Sequence, residues 1–315
     1  MEVIDWEHHM SPKEYAEMIK GVDDFHYHEQ LNISSKYPMD VQIKDMKSVG
    51  IDMACLTGNP LWDSVKYCKL FNDEMAKWVK AHPDKFIGFA CAPPIGDGGL
   101  EEIDRVVKDL GFKAYAGHIS NIGFKMLDSP ELYPFYKKIS DLDIPIFVHV
   151  AKNPVYPFAL PEPIQSGVRK YSSGVDREFD LIIATITLST SEVLEKFPKL
   201  KFVLGHLGGG IAAMWGRIWS TEGLENQEQI KTRQRAQKNF EKLYVDTAGI
   251  RADIDTLKFA LTKISPKRIV FGTDCPPGNS KEISHFVKDI KKIDISDKDK
   301  ELILGGNAKE ILKIK

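Results

Sequence analysis

The chain has 315 residues, of which 43% are hydrophobic and 28% are charged, which is enough apolar sequence for a large buried core. Its 43 basic and 45 acidic residues give a formal net charge of -2 with no long block of one sign, which argues against nucleic acid or an acidic membrane surface as the main partner. No segment approaches the roughly 18 uninterrupted apolar residues of a membrane span, and the start of the chain has no signal-peptide pattern.

The four cysteines are widely spaced and form no CxxC pair, so neither a zinc ribbon nor a disulfide framework is indicated. They are Cys55, Cys68, Cys91 and Cys275. We therefore expect a reducing, cytoplasmic setting. No histidine is close in sequence to activate Cys275, which is interpreted as a small buried residue. The short basic run KTRQRAQK at 231–238 predicts a solvated helix face rather than a binding patch.

Short runs rich in β-branched and aromatic residues recur along the chain and predict eight strands. In order they are EVID (2–5), DMACLT (52–57), KFIGFACA (85–92), FKAYAGHI (112–119), IPIFVHV (144–150), KFVLGH (201–206), KLYVDT (242–247) and RIVFGTD (268–274). The longer amphipathic segments between them predict helices at 64–81, 100–110, 132–142, 181–197, 252–264 and 281–293. Strands that alternate with helices in this way pair in parallel.

Eight strands alternating with helices favour a closed (β/α)8 barrel of the TIM type, since a doubly wound open sheet usually has fewer strands. No linker rich in Gly, Ser or Pro divides the chain, so residues 1–315 are predicted to form a single α/β domain. Two long stretches, 12–38 and 151–180, are interpreted as loop insertions over a site at the C-terminal face of the barrel.

Ionisable residues end six of the predicted strands, and in a barrel the carboxyl ends of the strands form the active-site face. They are Glu7 and His9, then His118, His149, His206, Asp246 and Asp274. In an extended strand Glu7 and His9 share one face, while His8 points the other way. Because unpaired charges are costly to bury, a shared divalent metal would satisfy several of these groups at once.

Each of these residues also has a structural interpretation. Glu7 would equally form a salt bridge with a nearby base, His149 would be a satisfied core histidine, and AGHIS favours His118 as part of a turn. Asp246 would cap or buttress a loop instead of contacting a substrate. GHLGGG at 205–210 lacks the Lys-Ser/Thr of a phosphate loop, so its glycines are interpreted as letting the backbone turn closely past a ligand.

Four motifs together resemble the amidohydrolase superfamily. They are Glu7-x-His9 on the first strand, PIFVH ending at His149, KFVLGHLGGG with His206 and VFGTDCP with Asp274. More narrowly, they resemble its branch of aromatic-acid decarboxylases, which includes γ-resorcylate decarboxylase and aminocarboxymuconate-semialdehyde decarboxylase. GGNAKEIL near the C-terminus is similar to the closing helix motif of that branch, so the resemblance extends over nearly the whole chain.

The resemblance implies one divalent metal ion, zinc or manganese, held by Glu7, His9, His149 and Asp274. An acid at Glu7, in place of the first histidine of the commoner His-x-His opening, resembles the hydroxybenzoate decarboxylases more than the aminocarboxymuconate enzyme. His206 would be a nearby acid or base. Arg217, eleven positions after His206, sits where γ-resorcylate decarboxylase-like sequences place an arginine for the substrate carboxylate.

The leading hypothesis is non-oxidative decarboxylation of a small aromatic or unsaturated carboxylic acid. In this hypothesis Asp274 donates the proton, and His206 positions the substrate or relays the proton. Arg217 binds the carboxylate of the substrate. The alternatives are hydrolysis of a lactone, ester or amide, hydration of an unsaturated acid, and a non-catalytic barrel. Three aromatic side chains are candidates to pack against the substrate ring: Trp62, Phe158 and Trp215. The resemblance suggests a homodimer or homotetramer, and the apolar helix at 211–219 would serve an interface or the core.

Overall fold

A computed structural model of the protein describes residues 1–22, 24–117, 119–120, 122, 125–150, 164–276 and 283–314, with side chains for all of these except 24–26, 29, 164–174 and 176. His118 and Phe158 therefore lie outside the described residues. Within the described ranges, no helix is both long enough and apolar enough to cross a membrane.

All eight predicted strands are confirmed, and they form one sheet in which each strand pairs in parallel with the next in chain order. They are β1 (Ile4–His9), β2 (Met53–Thr57), β3 (Phe86–Ala90), β4 (Ala114–Gly117), β5 (Ile146–Val148), β6 (Phe202–Leu204), β7 (Tyr244–Asp246) and β8 (Ile269–Val270). Parallel pairing in sequence order is the arrangement that a (β/α)8 barrel requires.

Hydrogen bonds between β1 and the chain around β8 bring the last strand back to the first. The amide of Trp6 donates to the carbonyl of Phe271 over 2.8 Å, and the amide of His9 donates to the carbonyl of Cys275 over 2.6 Å. In the reverse direction the amide of Asp274 donates to the carbonyl of Glu7 over 3.0 Å. The predicted TIM-type barrel is therefore confirmed.

Helices connect the strands and surround the sheet. In the described part of the chain they are α1 (Lys13–Met18), α2 (Asp24–Lys36), α3 (Met39–Val49), α4 (Val65–Ala81), α5 (Gly99–Lys108), α6 (Tyr133–Leu142), α7 (Ile164–Thr190), α8 (Val193–Lys196), α9 (Gly205–Gly210), α10 (Trp215–Ile218), α11 (Gln227–Phe240), α12 (Ile254–Leu261), α13 (Phe286–Lys292), α14 (Asp297–Glu301) and α15 (Asn307–Leu312). The basic run 231–238 lies on α11, as expected for a helix face.

One buried cluster contains residues from all eight strands and therefore fills the inside of the barrel. Its largest side chain is Trp6, whose ring meets Phe89 at 5.0 Å and Phe147 at 6.4 Å between centroids. Residues of α15 join the same cluster, and Lys309 on that helix forms an ion pair with Glu2, just before β1. The amino end of the barrel is thus covered by α15, which leaves the carboxyl end for a site.

The two insertions differ from the expected loops. Residues 13–18 and 24–36 are helical. In the first of these helices, the buried side chains of Tyr15 and Ile19 are four residues apart, which is helical spacing. In the second insertion the described residues from 164 onward belong to α7, and residues 151–163 lie outside the described ranges.

The helix predicted at 181–197 is two helices. α7 starts earlier than predicted and ends at Thr190, and α8 follows after a two-residue break. The hydroxyls of Ser189 and Thr190 donate to the carbonyls of Thr185 and Ile186, four residues back. Hydroxyl side chains that compete for helix carbonyls in this way favour a helix end.

Candidate metal centre

The first strand delivers two side chains to the mouth of the barrel. Glu7 and His9 lie together there, with His9 Nε2 3.4 Å from Glu7 Oε1. His8 faces the other way, and its ring nitrogens lie 2.9 Å from Asp5 Oδ2 and 3.1 Å from Gln42 Oε1. The alternation expected of a strand therefore places the acid and one imidazole at the site.

His149 follows β5 and contacts Glu7 from another side of the barrel mouth. Its Nε2 atom lies 2.9 Å from Glu7 Oε1, and its Nδ1 atom donates to the carbonyl of Val150 over 3.1 Å. Because a carbonyl oxygen only accepts, this bond puts the proton of the neutral ring on Nδ1 and leaves Nε2 with a free electron pair. That is the tautomer in which a histidine coordinates a metal through Nε2.

Asp274 follows β8 and is the accessible member of the group. Its Oδ1 atom lies 2.9 Å from His9 Nε2, and its side chain is 38% exposed while that of Glu7 is fully buried. The backbone of Asp274 has a φ of 57°, a conformation that residues other than glycine rarely adopt. Such backbone geometry tends to occur at functional sites, where the surrounding structure enforces it.

Four residues thus present donor atoms to one point, and we call them the four-residue cluster. They are Glu7, His9, His149 and Asp274, and one donor atom from each lies within 4.8 Å of all the others. Within the described structure, both carboxylate oxygens of Glu7 are buried without a hydrogen-bond partner, even though imidazole nitrogens approach one of them closely. Two imidazole nitrogens and two carboxylates that converge on one point fit a single divalent cation with nitrogen and oxygen ligands.

The electrostatics of the group are dominated by burial and by its opposite charges. Burial alone would raise the pKa of Glu7, but the imidazoles of His149 and His206 hold it well below its usual range. Burial opposes the charged form of His9, yet a hydrogen bond with Asp274 and the nearby negative charges of Asp274 and Glu7 raise its pKa to about 10. The pKa of His149 is lowered, chiefly by burial. Glu7 is therefore an anion at neutral pH, as a metal ligand must be.

His206 lies beside the cluster on an unusual backbone. From His206 to Gly210 five successive residues have φ between 54° and 76°, so α9 is a left-handed turn. The predicted tight turn of GHLGGG is thus present. His206 Nε2 lies 3.6 Å from Glu7 Oε1 and is buried without a hydrogen-bond partner in the described structure.

Asp246, at the end of β7, holds this turn. Its Oδ1 atom accepts hydrogen bonds from the backbone amides of His206, over 2.8 Å, and Ala248, over 3.0 Å. Burial and the nearby charge of Glu7 raise the pKa of Asp246 well above its usual value. Of the two interpretations left open by the sequence, these contacts support the loop buttress.

The described residues predicted to bind the substrate carboxylate or ring, unlike the members of the four-residue cluster, lie on exposed or core-packed surfaces. Arg217 is exposed on α10 and forms no hydrogen bond or ion pair within the part of the chain that the structure describes. Trp215 packs on Phe240 at 5.5 Å between centroids, so this side of the helix belongs to the core. Trp62 is half-buried and packs against the main core.

One site residue was missed by the sequence interpretation. Glu178 on α7 has its Oε1 atom 2.7 Å from His206 Nδ1. The residue lies within the 151–180 insertion and carries no motif, and its only sequence signal is the run of glycines that lets α7 approach the turn. Helical contacts of this kind depend on packing that a single sequence does not reveal.

The chain thus forms a (β/α)8 barrel that carries an acid–histidine cluster at the carboxyl ends of β1, β5 and β8. The donor atoms of this cluster fit a divalent metal ion, which suits a hydrolase or a lyase. The family model described as Amidohydrolase matches residues 4–314. The chain belongs to this family.

Known relatives agree with that membership. The γ-resorcylate decarboxylase of Polaromonas sp. (strain JS666 / ATCC BAA-500) is 30% identical over 263 residues, which cover 77% of this chain and 75% of that protein. The 2-amino-3-carboxymuconate-6-semialdehyde decarboxylase of Dictyostelium discoideum is 26% identical over 296 residues, covering 89% of this chain and 77% of that protein.

A solved structure agrees with the fold. The dihydroxybenzoic acid decarboxylase of Polaromonas sp. JS666, with bound manganese and the inhibitor 2-nitroresorcinol, superimposes with a TM-score of 0.75 at 24% identity. The match covers 99% of this chain and 97% of that one.

Proposed function

We propose that the chain is a metal-dependent decarboxylase that removes the carboxylate of a small aromatic or unsaturated carboxylic acid without oxidation. The observation that carries the proposal is the four-residue cluster at the mouth of an amidohydrolase-family barrel. The relatives at 30% and 26% identity are both named for decarboxylation, which supports this reaction over hydrolysis.

We propose that the ion is held by Glu7, His9, His149 and Asp274. Two imidazole nitrogens and two carboxylates suit manganese or zinc, and the manganese in the similar solved structure supports the first. When bound, the ion would act as a Lewis acid that orients and polarises a carboxylate oxygen of the substrate and a neighbouring hydroxyl.

Residues of the chain would handle the proton transfer. The bond between the ring carbon and the carboxylate breaks, its electron pair stays on the ring carbon, carbon dioxide leaves, and a proton takes its place. Asp274 is proposed to deliver that proton: its carboxyl, the accessible one of the group, takes a proton from solvent water in each turnover and passes it to the carbon that loses carbon dioxide. His206, whose Nε2 faces the cluster, would position the substrate or relay the proton.

Arg217 is proposed to bind the substrate carboxylate. Its guanidinium is exposed and forms no ion pair within the described residues, so it is available to a carboxylate ligand in a bidentate geometry.

We further propose that residues 1–315 form a single cytoplasmic domain and that the protein is a homodimer or homotetramer. Cys55, Cys68 and Cys91 are buried free thiols, which supports a reducing compartment.

The first test combines metal analysis with a screen for carbon dioxide release. Protein purified without added metal is analysed beside the Asp274→Asn variant, and both are screened against hydroxybenzoates. The control is Asp141→Asn, which makes the same chemical change at a 61% exposed carboxylate on α6. Near-stoichiometric metal and release that disappears only in Asp274→Asn are expected.

Two results would contradict the proposal. Stoichiometric metal without carbon dioxide release from any hydroxybenzoate would favour the hydrolase alternative. If the protein binds neither manganese nor zinc even after reconstitution, the four-residue cluster is not a metal site.

A further inference from the structure

His206 has two ring nitrogens that face different groups. Nε2 lies on the side of Glu7, and Nδ1 lies 2.7 Å from Glu178 Oε1. The distance is that of a charge-assisted hydrogen bond. Glu178 is on α7, within the connection between β5 and β6, and has no part in the function proposed above.

α7 is fixed against the turn that carries His206. A Cβ atom at Gly209 would lie 2.2 Å from the carbonyl oxygen of Glu178, so the missing side chain of Gly209 allows the helix to approach. The Thr185 hydroxyl lies 3.3 Å from the Gly208 carbonyl, and the Ser120 hydroxyl after β4 donates to Asp180. The position of Glu178 is therefore set by the same contacts that seat α7 on the barrel.

The backbone of His206 is fixed independently of its ring. Asp246 accepts from the backbone amide of His206, and Gly249 lies against its ring, since a Cβ at Gly249 would be 2.4 Å from Cγ of His206. Neither contact is a hydrogen bond to a ring nitrogen. Within the described structure, the hydrogen bond from Nδ1 to Glu178 is the one that the ring makes.

We propose that Glu178 is a positioning residue for His206. Its carboxylate on α7 accepts the Nδ1–H of the ring, and this hydrogen bond turns Nε2 toward the four-residue cluster. A carboxylate that accepts from one ring nitrogen fixes both the tautomer and the ring orientation. The proposal deepens, and rests on, the catalytic use of His206 proposed above. It makes α7 part of the site although α7 supplies no metal ligand.

The test compares Glu178→Ala with Glu178→Gln and with the control Glu192→Ala, a glutamate that is 61% exposed after the end of α7. Long-range ¹H–¹⁵N spectra distinguish protonated from unprotonated ring nitrogens, and His206 is assigned by the signal lost in His206→Gln. Spectra are recorded on the metal-free and the zinc-loaded protein.

In wild type and Glu192→Ala we expect His206 to be protonated on Nδ1. In Glu178→Ala that population falls, and kcat falls by about 10- to 100-fold with KM changed by less than about twofold. In Glu178→Gln the amide oxygen still accepts, so the Nδ1 proton is retained and more of kcat survives. If the alanine variant does not fold, Glu178→Asp, which is too short to reach Nδ1, takes its place with the same expectation.

An unchanged His206 spectrum in the folded alanine or aspartate variant would overturn the proposal. So would an equal loss of kcat in Glu192→Ala. If the wild type releases no carbon dioxide from any acid, the proposed function fails, but the ring spectra still decide whether Glu178 sets the tautomer.

Discussion

At the scale of single residues, the packing of Gly249 against the ring of His206 is open to a direct test. Gly249 has a φ of +73°, and a Cβ there would lie 2.4 Å from Cγ of His206. Gly249→Ala is therefore expected to displace the imidazole as well as strain the backbone. A displacement of about 1 Å can cost about 100-fold in rate, so a fall of that order in kcat/KM for carbon dioxide release is expected.

Gly223→Ala is the matched control, because Gly223 has the same φ of +73° with no atom within 4 Å of a Cβ. Both variants should lose about 1 kcal/mol in the free energy of unfolding because alanine is disfavoured at positive φ, and Gly249→Ala should lose more because its Cβ also displaces a buried ring. Urea unfolding measures both losses, and only Gly249→Ala should lose activity beyond about twofold. Equal activity losses would show that the ring contact of Gly249 is unimportant.

Strand ends in a barrel meet at one face whatever the loops do, so the sequence placed seven ionisable residues near one another. The resemblance to the amidohydrolase superfamily then singled out the members of the four-residue cluster among them. Glu178 was not accessible to the same reasoning. Its distance from His206 depends on the rotation and depth of α7, which are set by packing at Gly209 and by the bond between Ser120 and Asp180. The run of glycines is the only sequence signal of this packing, and it does not indicate which residue of α7 comes near His206.

At the scale of elements, the contact between α7 and the left-handed turn predicts a contrast between adjacent glycines. A Cβ at Gly209 would lie 2.2 Å from the carbonyl of Glu178 and 2.7 Å from the amide of Ile182, both backbone atoms. Gly209→Ala should therefore push α7 away and destabilise the protein by about 2–3 kcal/mol, which combines overpacking with backbone strain. Urea unfolding measures the loss.

The control is the next residue. Gly210 has a φ of +76° and meets no atom within 4 Å, so Gly210→Ala should lose only about 1 kcal/mol. Hydrogen exchange of α7 amides should increase in Gly209→Ala and remain unchanged in Gly210→Ala. The same exchange in both variants would contradict the close docking of α7.

Strands were easier to predict than helices for a physical reason. A buried parallel strand needs a short continuous apolar run, and each of the eight runs was present. The helices of 12–38 were missed because α2 is polar on much of its surface and shows almost no amphipathic contrast. The end of α7 at Thr190 depends on hydroxyl-to-carbonyl bonds that compete with helix continuation.

At the scale of the whole molecule, the four-residue cluster joins parts of the chain that are far apart in sequence. Glu7 and His9 belong to β1, His149 follows β5 and Asp274 follows β8. An ion bound by all four would connect the first and last strands at the point where the barrel closes. Unfolding of the barrel would then require release of the ion, which couples metal affinity to global stability.

Metal should therefore raise the stability of the entire barrel. Manganese at about 100 times its Kd is expected to add about 2.7 kcal/mol to the free energy of unfolding, which corresponds to roughly 5 °C in Tm. Thermal unfolding of chelator-treated protein with and without manganese measures the shift. Glu7→Gln should abolish it by removing a charged ligand, whereas Glu2→Gln, the same change just before β1, should retain it. A shift of equal size in Glu7→Gln would place the stabilising ion somewhere other than the mouth of the barrel.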